Sequence, residues 1–176
     1  MTGQMKLHIG GKQAHPDWKI FDIEKRPEVD FVGDAGDLGQ FEDDSIDAIY
    51  SSHVLEHFHH SLYNEMVFTL AEWHRVLKKG GELLISVPDL QALCWLYSGP
   101  HIDTLSRIDL MRIIFGGQSN QYDVHKAGFD FGILSLYLAE VGFESCHRVS
   151  EFNLFHDNSS YYILNTPISL NVIATK

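Results

Sequence analysis

The sequence predicts an α/β fold built on a doubly wound sheet, and three observations carry that prediction. Short apolar runs in the first third of the chain each stop at a glycine or an aspartate, as strands do when their carboxyl ends face a ligand. One long stretch in the middle has helical periodicity, and a continuous apolar run follows it, as expected of a strand covered on both faces.

The first run is Leu7-His8-Ile9, ended by Gly10-Gly11-Lys12. Its alternation reads as a strand, and the glycines permit a backbone turn that a side chain would crowd. Trp18-Lys19-Ile20-Phe21-Asp22 reads as a second strand tipped by a carboxylate. A glycine turn after one strand and an acid at the tip of the next is how doubly wound sheets hold nucleotide-containing cofactors, the acid accepting hydrogen bonds from ribose hydroxyls. The polar residues 23–28, with Pro27, form a loop. Residues 29–34 alternate again and end in Gly33-Asp34, giving a third acid-tipped strand, and residues 43–52 supply a turn and a fourth strand that enters a helix near Val54-Leu55-Glu56-His57.

Over residues 61–77 the apolar positions Leu62, Met66, Leu70, Trp73 and Leu77 recur at steps of three or four, one helical face. Ser61 suits its start, and Lys78-Lys79-Gly80-Gly81 its end. Residues 82–87 are the continuous apolar strand, closed by Pro88-Asp89. Helices are expected over 90–97, 104–115 and 133–141, with Gly116-Gly117 and Gly142 as stops. Residues 118–130 are polar and aperiodic, long enough for a functional loop. Residues 146–155 and 170–174 read as two strands joined by a polar turn around Asp157-Asn158-Ser159-Ser160. Nothing suggests a linker or a repeat, so residues 1–176 are read as one domain: a cofactor half over about 5–89, substrate-side helices and loop over 90–143, and C-terminal strands over 144–176.

Hydrophobic residues at 44% and charged ones at 21% describe an ordinary soluble globular chain. A net charge of −11 with thirteen dispersed Lys and Arg argues against nucleic acid and anionic membranes, whose phosphates need clustered cations. Cys94 and Cys146 lack metal-type spacing and read as free thiols in a reducing compartment. With no run of membrane length and no signal-type N-terminus, the expected location is the cytoplasm.

The stretch Asp47-Ala48-Ile49-Tyr50-Ser51-Ser52-His53-Val54-Leu55-Glu56-His57, then Glu72-Trp73-His74-Arg75-Val76-Leu77-Lys78-Lys79-Gly80-Gly81 and the strand after it, resembles the class I S-adenosylmethionine-dependent methyltransferases, in the small-molecule branch called type 11. The resemblance runs from Leu7 to Asp89 and thins beyond. It implies a Rossmann-like fold, a mostly parallel sheet with an antiparallel C-terminal strand, and S-adenosylmethionine as cofactor. By the same resemblance Gly10 and Gly11 lie under the methionine part, Asp22 binds the ribose and Ile23 packs on adenine. The adenine edge meets the Asp34 carboxylate and the Ala35 backbone, and Ser52 and His53 offer carbonyls to the methionine ammonium. The family's three alternating glycines are reduced here to two adjacent ones followed by lysine.

The links 10–18 and 23–28 are also too short for full helices, since a parallel crossover with its helix needs about ten to twelve residues or more. Helices between the first three strands are therefore reduced, and one sheet face needs another cover: the C-terminal half or a second subunit in a homodimer. Such compact members resemble methyltransferases of polysaccharide or other surface-glycan pathways, which implies a small-molecule or sugar-type acceptor methylated at oxygen.

Methyl transfer asks the protein to bind, orient and dry the site, with a base where the acceptor is a hydroxyl. The loop over 116–126 gathers amide, carboxylate, imidazole and ammonium groups; His125 suits the base and Asp123 its orientation. Eleven histidines raise a metal-dependent hydrolase as a rival, with His53, His57, His59 and His60 as the cluster. Val54 stands where a metalloprotease helix needs glutamate, and Glu56 falls off the face shared by His53 and His57, so no metal is expected. A catalytically weak cofactor-binding module is the other alternative. A dinucleotide site is disfavoured because residues 10–14 do not form Gly-x-Gly-x-x-Gly.

Overall fold

A computed structural model of the chain describes residues 4–176. Seven strands form one sheet in the order β3-β2-β1-β4-β5-β9-β6. They are β1 (Lys6–Ile9), β2 (Lys19–Asp22), β3 (Phe31–Val32), β4 (Ile46–Ser52), β5 (Leu77–Pro88), β6 (Ser145–Val149) and β9 (Ser169–Thr175), with a separate hairpin of β7 (Tyr162–Ile163) and β8 (Thr166–Pro167). The first five pair in parallel, and β9 runs antiparallel between β5 and β6, as the resemblance implied. The helices are α1 (Glu65–Val76), α2 (Leu90–Tyr97), α3 (Thr104–Phe115) and α4 (Phe131–Glu140).

Alternation along the strands sorts side chains between two faces. Leu7, Ile9 and Ile49 enter a core with Met66, Leu70 and Trp73 of α1 and Leu134 and Leu138 of α4. The opposite face carries Trp18, Ala48, Tyr50 and Leu84. No helix stands between β1 and β2 or between β2 and β3, as the short links required. The bare face is covered by residues 150–160, whose Phe155 and Phe152 pack on Tyr50 at ring-centroid distances of 4.8 and 5.4 Å. The Tyr50 hydroxyl donates to Asp157 Oδ2 at 2.8 Å, while Asn171 Nδ2 donates to the carbonyls of Ser150 and Ser159 at 3.0 and 2.9 Å. The C-terminal half supplies the missing layer, so that face does not call for a second subunit.

Several boundaries differ from the sequence reading, each for a local reason. The third strand shrinks to Phe31–Val32 because the Asp30 carboxylate accepts from Ile20 N at 2.9 Å, so a side chain takes a bond the ladder would have made. Helix α1 starts at Glu65 rather than Ser61, because Tyr63 and Asn64 are left-handed at φ 56° and 54° and break the turn before it. Gly80-Gly81 do not stop that helix. It ends at Val76, and the two glycines lie within β5 as an irregularity between the pairs Ile46–Leu77 and Ala48–Glu82. Asp130 caps α4 by accepting from Ile133 N at 2.8 Å, which moves its start ahead of Ile133. The link between the last two large strands is no simple turn, since residues 150–168 hold both the cover segment and the β7–β8 hairpin.

Candidate functional site

The carboxyl ends of β1, β2 and β3 border a cavity of about 490 Å³. Gly10, Asp22, Ile23, Asp34 and Ala35 all line it, five of the expected cofactor residues drawn together from three separate segments. Gly10 has φ +74°, and a Cβ there would lie 2.6 Å from Val54 Cγ2; this position requires glycine on both counts. Asp22 is nearly buried. Its Oδ1 accepts from Glu24 N at 2.8 Å and its Oδ2 from Arg26 Nη2 at 3.0 Å. Arg26 also donates to the Gly11 carbonyl at 2.7 Å, tying the acid to the glycine turn. Ile23 is exposed beside this acid, an apolar surface for a flat ring. Asp34 Oδ1 accepts from Gly36 N at 2.8 Å, and the Ala35 carbonyl accepts from Trp73 Nε1 at 2.8 Å, which fixes the Asp34–Gly36 turn on α1. These residues fit S-adenosylmethionine: an acid for a ribose, an apolar wall for adenine, and a cradle that a Cβ would fill.

Gly11, Ser52 and His53 lie elsewhere. Gly11 does not line the cavity, and a Cβ there would meet the His8 ring at 2.7 Å. Ser52 and His53 line a second cavity of about 320 Å³, with His8, Phe155, His156, Asp157 and Asn158. The two cavities meet at Gly10 and Lys12, which line both. His8 is buried between Tyr50 and Phe155, and that burial lowers its pKa to about 4. His53 is left-handed at φ 55°, and its Nε2 is 2.9 Å from Ser169 Oγ.

The loop after α3 closes on Asp123. Its carboxylate accepts from Gly117 N, Ser119 N and Ser119 Oγ at 3.2, 3.1 and 2.8 Å, and a Cβ on Gly117 would lie 2.7 Å from Asp123 Oδ2. Burial pushes this carboxyl up, but the Ser119 and Gly117 donors outweigh it and hold the pKa below the ordinary value. Asp123 therefore knots the loop that forms part of the cofactor cavity and does not orient His125.

The carboxylate beside His125 is Glu56. Lys126 N and Ala127 N donate to the Glu56 carbonyl at 2.8 and 3.2 Å, which lays residues 125–127 against the single 3₁₀ turn Leu55–His57. Glu56 is fully buried, with Oε1 at 3.3 Å from His53 Nδ1 and 3.8 Å from His125 Nε2. Burial pushes its carboxyl up; the imidazoles of His53, His57 and His125 pull it down further, and the net pKa is lowered. Burial likewise lowers His125, against the pull of Glu56. The His57 and His125 rings stack edge to face with centroids 4.9 Å apart, and His57 lines the cofactor cavity. The short 3₁₀ turn corrects the sequence reading, in which a full helix aimed Glu56 away from the histidines. His59 leaves the expected cluster to pair with Glu65, Nδ1 to Oε2 at 2.6 Å, and His60 is exposed. The sequence signal for this group was the buried-type Leu55-Glu56-His57, but its partner His125 comes from far along the chain.

Residues 14–85 match the family model described as "Methyltransferase domain". No curated protein matches the sequence significantly. Among solved structures, the chain is similar to an S-adenosylmethionine-dependent methyltransferase from Archaeoglobus fulgidus, at 16% identity and TM-score 0.61, covering 99% of this chain and 87% of that one. A methyltransferase of Thermotoga maritima, described as a possible histamine N-methyltransferase, is similar at 17% identity and TM-score 0.61, with coverage of 100% and 84%. Phosphoethanolamine N-methyltransferase 2 of Haemonchus contortus, solved with S-adenosylmethionine bound, is similar at 17% identity and TM-score 0.51 over 85% of this chain and only 35% of that one. At these identities the structures share the fold.

Proposed function

We propose that this chain, a class I S-adenosylmethionine-dependent methyltransferase by its matched domain and its fold, methylates a hydroxyl of a small molecule or glycan precursor. One observation carries the reading: a cofactor-type cavity meets a second, polar cavity at the β1 turn, so a donor and an acceptor have adjoining places. When bound, the cofactor supplies a methyl group on a sulfonium sulfur. Asp22 holds the ribose, Arg26 keeps that carboxylate in place, and Ile23 and the Asp34–Ala35 turn receive the adenine. Gly10 forms the turn shared by the two cavities, and Ser52 and His53 bring the end of β4 to the second cavity beside it, where the methyl group would pass between them. Phe155 and the buried His8 exclude water from the floor of the acceptor cavity.

His125 is the proposed acid–base group in this reading; it lines neither cavity and borders the cofactor cavity through the His57 ring, 4.9 Å away. Its burial keeps the ring neutral near pH 7 and able to accept a proton, and Glu56 stabilises the imidazolium that forms. Asp123 acts on the loop and not on the ring. The acceptor cavity, walled by Asp157, Asn158 and His156, suits a polyol or sugar-type ligand. The reading takes residues 1–176 as one domain and a cytoplasmic location, supported by the free thiols of Cys94 and Cys146. Among the described residues, no helix is long and apolar enough to cross a membrane.

The test is transfer of label from methyl-labelled S-adenosylmethionine to a panel of nucleotide sugars and free sugars. Label in an acceptor, lost in His125→Ala while cofactor binding is retained, is the expected result. Cofactor binding with no transfer to any acceptor favours a catalytically silent binding module.

A further inference from the structure

A buried carboxylate must face positive charge, and Glu56 faces only imidazoles. It is 0% exposed, and neither of its oxygens has a hydrogen-bond partner among the described residues. The side chain lies between His53, His57 and His125, with Oε1 closest to His53 Nδ1 and His125 Nε2. Two unpaired oxygens inside the protein are costly unless a proton or a cation sits beside them.

We infer that Glu56, His57 and His125 bind a first-row divalent transition-metal ion, zinc foremost, at the wall of the cofactor cavity. One ligand atom from each of the three lies within 4.8 Å of the other two. Tetrahedral zinc with bonds of about 2.1 Å places its ligands ~3.4 Å apart, so small side-chain rotations close the set. The orientation of His57 is already that of a metal ligand. Its Nδ1 lies 3.1 Å from the Val124 carbonyl, which fixes the proton on Nδ1 and leaves Nε2 free. His125 turns Nε2 toward Glu56 Oε1 at 3.8 Å, the side on which an ion would sit. Two imidazoles and one carboxylate match the donors that zinc and its neighbours take, and three protein ligands leave a coordination position open.

His57 belongs to the cofactor wall, whereas His125 belongs to the loop whose residues 119–123 line the same cavity. An ion at this point clamps the loop to the wall and supplies a positive charge beside Glu56. The inference is an alternative to the acid–base role of His125, since a bound ion takes the imidazole lone pair that a base needs, and it is tested apart from methyl transfer because ion binding needs neither cofactor nor acceptor.

Chelator-stripped protein, titrated with Co²⁺ followed by optical absorption and then displaced by Zn²⁺, is expected to bind one ion per chain. Glu56→Gln and His125→Ala should each weaken binding by at least about 100-fold, since even outer-shell partners are worth 10–100-fold. His59→Ala should leave it unchanged, because His59 pairs with Glu65 away from the cluster. Zinc-edge X-ray absorption of the unaltered protein should show two imidazole ligands, whatever the variants do to folding. No uptake of either ion, or uptake indifferent to His125 and Glu56, overturns the inference. Either result leaves the methyltransferase reading to be judged by cofactor titration and label transfer.

Discussion

Acidification should weaken the fold through His8, by an amount that follows from its burial. The ring lies between Tyr50 and Phe155 with centroids at 4.9 and 4.1 Å, and its pKa falls from 6.5 to about 4 because burial penalises the charged form. The folded pKa is below the unfolded one, so the unfolded chain takes up a proton that the folded chain refuses. The contribution of His8 is therefore intact above about pH 6.5 and is lost as the pH falls toward 4; the full shift is worth about 3 kcal/mol. Between about pH 7.5 and about pH 5 the loss from this one group is about 2 kcal/mol. Urea denaturation at the two pH values measures it, with His8→Phe as the control that keeps an aromatic ring and removes the titration. The variant should lose about 2 kcal/mol less than the parent over this interval. An equal loss in both proteins would refute the reasoning and mean that residues 150–160 do not seal this face from water.

The same cover predicts that Phe155→Ala costs about 3–5 kcal/mol in chemical denaturation, as for other buried aromatic truncations; a cost under about 1 kcal/mol would show that the segment is not the missing layer. At the β1 turn, Gly10→Ala puts a Cβ 2.6 Å from Val54 Cγ2 at φ +74°, so it should destabilise by about 1–3 kcal/mol and weaken cofactor binding, as read by melting and titration. Arg26→Ala should leave the fold intact and reduce cofactor affinity about 3–10-fold by freeing Asp22 from its 3.0 Å contact; unchanged affinity would remove Arg26 from the site.

What the sequence made legible was whatever depends on local pattern. Alternation in Leu7-His8-Ile9, the glycine stop and the acid at Asp22 are local patterns, and the structure brings Gly10 and Asp22 to one cavity while Gly11 stands outside it. The helical face of Met66, Leu70 and Trp73 is likewise a local pattern, and it enters the core as expected. Where side chains replace backbone partners, pattern fails: Asp30 takes the Ile20 N–H and shortens β3, and nothing in its alternation signals that. Long-range pairings were hidden for the same reason. Asp123 is two residues from His125, yet it turns back to Gly117 and Ser119, while Glu56 reaches His125 from the other half of the chain. The cover formed by Phe152 and Phe155 was visible only as a need, from links too short to hold helices, and not as a location.

The most direct test of the account is calorimetric titration of the protein with S-adenosylmethionine and S-adenosylhomocysteine, repeated on Asp22→Ala. Both ligands should bind the parent, and the variant should lose about 10–100-fold in affinity, the worth of one or two hydrogen bonds to a charged group. Absence of binding to either ligand, or equal affinity in the variant, would contradict the assignment of the cofactor site.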